Sequence, residues 1–96
     1  MTIDRFQKSI EEMYFARDKA RGVGGTFMWF TEEVGELASA IRSGTREEQE
    51  REFADVFAWL VSLASIQGIR MEDAIRKYAD GCPRCHKAPC ACSEKK

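Results

Sequence analysis

From Phe53 to Ile66 the chain reads FADVFAWLVSLASI, apolar on nearly every side of a helix and broken by one carboxylate, Asp55. A helix of that kind has to be covered all round. The stretch is too short to span a bilayer, so other helices must do the covering. A chain of 96 residues has few to offer. The run therefore points to packed helices completed by a second copy of the chain.

The remaining periodicity is also helical. Ile3, Phe6, Ile10, Met13 and Tyr14 recur at spacings of three and four and predict a first helix from about residue 2 to 20. Gly22, Gly24 and Gly25 end it. Thr26 is the expected N-cap of a second helix reaching about Arg42, with Phe27, Phe30, Val34, Leu37, Ala38 and Ile41 as its core face. Ser43-Gly44-Thr45 makes a tight break, and Gly44 suits a left-handed cap. A third helix runs from about Arg46 to Gln67, its first turns REEQERE charged and solvated. After Gly68 a fourth is expected from Met71 to about Ala79. The expected fold is an oligomeric all-α four-helix bundle over residues 1–80, followed by a Cys-rich tail over 81–96.

Lys and Arg number 15 against 16 Asp and Glu, so bulk charge makes no case for nucleic acid as a partner. The N-terminus MTIDRFQKSIEEMYF is amphipathic and carries acids, unlike an apolar signal core. A cytoplasmic protein without membrane contact is expected.

Chemistry concentrates in the acids. The second helix holds Glu32, Glu33 and Glu36, and the third holds Glu52 and Asp55. Residues three apart are neighbours on a helix surface, so Glu33/Glu36 and Glu52/Asp55 each form a two-carboxylate unit. No Lys or Arg lies between the members of either pair. Glu36 precedes Gly44 by eight residues and Glu52 follows it by eight; Glu33 and Asp55 stand at eleven. In an antiparallel hairpin the pairs fall at matched heights, roughly 12 and 16 Å from the turn. At about 100° per residue, both acidic edges rotate toward each other above the shared core. Asp55 interrupts an apolar run, where an unpaired carboxylate is costly. A divalent cation would answer the repulsion, and an oxygen-only set favours Mg²⁺ or Mn²⁺ over iron or zinc. Di-iron bundles need Glu-x-x-His pairs, and the one histidine, His86, lies in the tail. The bland reading of acidic pairs is a solvated face, and it applies best to Glu32 and Glu36.

Glu32-Glu33-x-x-Glu36, fifteen residues, then Glu52-x-x-Asp55 resembles the signature of MazG-like nucleotide pyrophosphohydrolases. The flanking text EEVGELASAIRSG and EFADVFAWLVSLASIQGI, with Lys77-Tyr78, is similar too. The resemblance implies an all-α bundle that forms a homodimer or a dimer of dimers. It implies hydrolysis of a nucleoside triphosphate to monophosphate and pyrophosphate, by metal-activated water at the α-phosphorus. Glu33, Glu36, Glu52 and Asp55 match the family's metal ligands, and Glu32 matches the leading acid. Glu33 or Glu36 is the candidate proton acceptor. Lys77 matches a lysine of the pattern and is the first phosphate candidate; Arg17 and Arg21 follow. Trp29 and Trp59 are candidates for base stacking, and Trp29, off its helix's apolar centre, is the first of them.

The tail reads Cys82-Pro-Arg-Cys85-His86-Lys-Ala-Pro-Cys90-Ala-Cys92. Cys-x-x-Cys with two more cysteines close behind suits tetrahedral Zn²⁺. His86 is an alternative ligand, and a redox pair or free thiols are alternative states. Two other function classes fit the residues: a non-catalytic helical assembly module docking through the tail, and a nucleotide sensor.

Overall fold

The computed structural model describes residues 1–93; Glu94 to Lys96, the end of the expected tail, lie outside the described residues. Helix α1 spans Ile3–Ser43, α2 spans Arg46–Ile66, and α3 is the single turn Met71–Ala74, continued by a 3₁₀ turn over Ile75–Tyr78. The chain is all-α, with no strand among the described residues.

Helix α1 is not straight. Gly22 has φ 89 and ψ 165, a region open essentially to glycine alone, and divides α1 into arms 3–21 and 23–43. The expected boundary at Thr26 is therefore wrong. Gly24, Gly25 and Thr26 are all helical, and Thr26 is buried within the second arm rather than capping it. The reason is local packing. A Cβ on Gly25 would stand 2.8 Å from Arg21 Cγ, and the Thr26 hydroxyl accepts a 3.3 Å bond from the Arg21 guanidinium.

The turn between α1 and α2 also differs from expectation. Gly44 is extended (φ −89, ψ 167), not left-handed, and its N–H donates to Ala40 O at 2.7 Å. Glycine is needed for close approach instead: a Cβ there would meet Ala40 O at 2.8 Å. Thr45 then starts α2 with a full capping box. Its hydroxyl accepts from Glu48 N, and the Glu48 carboxylate accepts from Thr45 N at 2.8 Å.

The first arm is tied to the far end of α2 by a polar knot. Gln7 is fully buried. Its amide donates to Ser65 Oγ and Ile69 O at 2.9 Å, and its carbonyl accepts from Met71 N at 2.8 Å. Ser65 donates to Glu11, and Arg70 spans Asp4 and Glu11 at 2.7 and 2.6 Å. Phe6 stacks on Phe57 beside this knot, with ring centroids 5.3 Å apart.

The expected fourth helix shrinks to one α turn and one 3₁₀ turn, so a single chain does not build a four-helix bundle. Its apolar core is also small: Ile10, Ala40 and Val61 are the buried apolar residues among those described. The expected core face of the second arm is largely open, with Phe27 53%, Val34 42% and Ile41 54% exposed. One chain lacks the helices to cover both that face and the all-round apolar α2, where Phe53 is 56% exposed.

Candidate functional site

The second arm of α1 and α2 form an antiparallel hairpin, closed at one end by the Gly44 turn and farther along by Trp29 stacked on Trp59 at 6.2 Å. Between these points Glu33, Glu36 and Glu52 converge, each with a carboxylate oxygen within 4.8 Å of the others. Glu33 Oε2 and Glu52 Oε2 are buried and have no hydrogen-bond partner among the described residues. Such oxygens are costly unless something binds them.

The electrostatics follow. Burial, then the charges of Glu36, Asp55 and Glu52, push Glu33 up to about 7. Burial together with Glu36 and Asp55 raises Glu52 also, opposed by Arg51. The absence of a compensating cation thus holds only between the paired acids. Arg51 is adjacent in sequence to Glu52, and with Glu36 and Glu52 it lines a shallow cleft running toward the turn.

Asp55 is near enough for its charge to act on Glu33 and Glu52, but it lies outside the group of three. It is exposed, so the burial cost expected from its apolar neighbours is absent in the single chain. Asp55 instead lines a cavity of about 250 Å³ with Tyr14, Arg17, Asp18, Arg21, Ala58, Trp59 and Ser62. Glu32 is exposed and stands apart from the carboxylate group.

A family model of the MazG nucleotide pyrophosphohydrolase domain matches residues 24–88. The chain belongs to this family. No curated protein matches it. The MazG match covers both acid-bearing helices and ends before Cys90 and Cys92. Membership makes this a nucleotide-hydrolase fold, and its carboxylate group and its cysteine group are both able to hold metal.

The residues expected around the substrate are distributed unevenly in this MazG domain. Arg17 and Arg21 line the cavity, whereas Lys77 sits on the 3₁₀ turn with its ammonium over the Tyr78 ring and is not part of the lining. Arg21 is already engaged, held 2.9 Å from Asp18 with its guanidinium over Trp59. Arg17 makes no ion pair among the described residues. Trp29 packs on Trp59, and Trp59 is the ring facing the cavity.

Sequence reasoning missed Tyr14, Asp18 and Ser62 as cavity residues. Asp18 is buried. Its signal was available, since Tyr14, Asp18 and Arg21 fall at helical spacings of four and three.

In the tail, Cys82, Cys85, Cys90 and Cys92 gather with their sulfurs mutually within 4.8 Å, and His86 stands outside the group. The amides of Cys85 and Arg84 draw the Cys82 thiol down to about 6. Cys92, hemmed in by Cys90 and Cys82, is pushed up to about 12.

Proposed function

We propose that this MazG domain hydrolyses a nucleoside triphosphate to monophosphate and pyrophosphate, with Mg²⁺ (or Mn²⁺) held by Glu33, Glu36, Glu52 and Asp55. The observation that carries the reading is the pair of buried, partnerless oxygens on Glu33 and Glu52. The donor set fits the ion: all oxygen and several carboxylates, with Glu36 and Glu52 bordering the cleft toward the turn and Asp55 bordering the cavity. When bound, the cation would offset triphosphate charge that these acids would otherwise repel.

The chain's own residues supply the rest. Arg17, free of ion pairs within the described chain, attracts the phosphate tail, while Arg21 is held by Asp18 and orients Trp59. The cavity is smaller than the ~300–1,000 Å³ usual for whole ligands, so it suits one part of the nucleotide, the base or sugar, against Trp59 and Tyr14. Water attacks the α-phosphorus and its proton passes to a carboxylate, Glu33 or Glu36. The α–β phosphoanhydride bond breaks, and pyrophosphate leaves.

The active species is a homodimer or a dimer of dimers, joined over the apolar faces left open by Phe27, Val34, Ile41 and Phe53. The non-catalytic assembly reading explains those faces equally well. It gives no reason for partnerless acids at the centre of the hairpin, where they weaken an assembly. A panel of nucleoside triphosphates with Mg²⁺, read by pyrophosphate release, tests the proposal. Release from none of them, by folded protein, would refute it.

A further inference from the structure

The cysteine tail has a geometry of its own. Gly81 turns the chain with φ 100, where a Cβ would stand 3.1 Å from the backbone of Lys87. Cys82 N donates to Lys87 O at 3.1 Å, and His86 N donates to Cys82 O at 2.6 Å. His86 takes a left-handed conformation, φ 62. The first Cys-x-x-Cys is thereby wrapped into a closed knuckle presenting both sulfurs to one side.

Backbone amides point at three of the four sulfurs. Arg84 N donates to Cys82 Sγ at 3.4 Å, Ala91 N to Cys85 Sγ at 3.3 Å, and Cys92 N to Cys90 Sγ at 3.3 Å. Amide donors around sulfur favour thiolates and orient them as metal ligands. The sulfur separations fit a single ion. Cys82 and Cys92 are 3.8 Å apart, and Cys85 and Cys90 are 3.9 Å apart. A tetrahedron with ~2.3 Å metal–sulfur bonds has edges of about 3.8 Å. These distances are far beyond a disulfide bond of ~2.05 Å. With all four sulfurs within 4.8 Å of one another, a polynuclear cluster does not fit among them.

We propose that Cys82, Cys85, Cys90 and Cys92 form a tetrahedral thiolate site for one structural Zn²⁺, which folds residues 81–92 as a knuckle appended to the helices. His86 serves the turn and is not a ligand. Half of the ligand set lies past the residues that match the MazG family. The site does not depend on the phosphate chemistry proposed above, and its test needs no substrate.

The test is metal analysis of full-length protein purified without chelator, alongside Cys85→Ser, Cys90→Ser and His86→Asn. About one zinc per chain is expected in the parent and in His86→Asn, with a loss of more than half in each serine variant. Replacing zinc by Co²⁺ should give the intense thiolate-to-metal absorption of a tetrahedral site. Chelation should lower hydrogen-exchange protection of the Cys82 and His86 amides at least tenfold and leave α1 and α2 protected. This exchange readout keeps the proposal testable if the serine variants fold poorly. Zinc below about one-tenth per chain, iron in its place, two disulfides by intact mass, or zinc loss in His86→Asn would each overturn it.

Discussion

Glu33→Gln should stabilise this protein when divalent cations are removed and destabilise it, relative to the parent, when Mg²⁺ is present. In the folded chain Glu33 titrates near 7 rather than at its ordinary 4.5, because burial and three neighbouring carboxylates oppose its charge. Below pH 4.5 the group is protonated whether the chain is folded or not, and contributes nothing that depends on pH. Between 4.5 and about 7 the folded state holds a proton that the unfolded state has released, so stability falls as pH rises. Above 7 the full penalty is present. At ~1.4 kcal/mol per pH unit the unscreened ceiling is about 3 kcal/mol. Glu33 is partly exposed, and solvent screening brings this to about 1–2 kcal/mol. A domain of this size shifts by roughly 4–8 °C per kcal/mol.

The glutamine is nearly isosteric, and its amide has acceptors in Glu36 and Glu52. Thermal unfolding followed by circular dichroism in chelator should therefore separate the two proteins by roughly 5–10 °C at about pH 8.5 and hardly at all near pH 4.5. Protein concentration must be matched, since self-association moves the midpoint. Saturating Mg²⁺ should reverse the order, because the parent then binds the ion more tightly. A glutamine variant less stable than the parent in chelator at high pH would refute the reasoning. So would a difference independent of pH.

Glu36→Gln and Asp55→Asn should abolish pyrophosphate release while helical dichroism persists; near-normal turnover in both would remove the metal assignment. Arg17→Ala should lower kcat/KM more than tenfold, and Lys77→Ala less than threefold, in steady-state assays, since Arg17 borders the cavity and Lys77 does not. Gln7→Leu should cost about 2–4 kcal/mol in chemical denaturation, because Met71 N and Ile69 O lose their partner in a buried place. Sedimentation should find a dimer or tetramer at micromolar concentration; a stable monomer would contradict the open apolar faces.

The hairpin and its acids were readable because both follow from helix geometry alone. Glu36 and Glu52 stand equally far from Gly44, and antiparallel helices at equal rise bring them to one height. Asp55 did not behave as its sequence neighbours implied. Ala54 and Val56 signal burial only if something covers them, and in one chain Asp55 remains exposed. Of the three glycines expected to end the first helix, Gly22 alone makes the bend, and the second arm is already helical before Thr26. The choice rests on Arg21 packing over Gly25 and bonding Thr26, which no periodicity reveals. Gln7 was invisible for a related reason: a polar residue beside Phe6 and Ile10 reads as surface until Ser65, Ile69 and Met71 are known to meet it.

These features bear on one another through stability. A chain with three buried apolar residues among those described has little core with which to hold repelling carboxylates together. The polar knot around Gln7 and Arg70 fixes the first arm against the end of α2, away from the acids, and contributes nothing to their neutralisation. The Trp29–Trp59 stack and the Gly44 turn hold the hairpin closed on either side of Glu33, Glu36 and Glu52. What remains is to offset the charge and to cover Phe27, Val34, Ile41 and Phe53. On our reading a divalent cation does the first and a second copy the second. Each then stabilises the hairpin that the other needs, so oligomer and metal affinity should rise together.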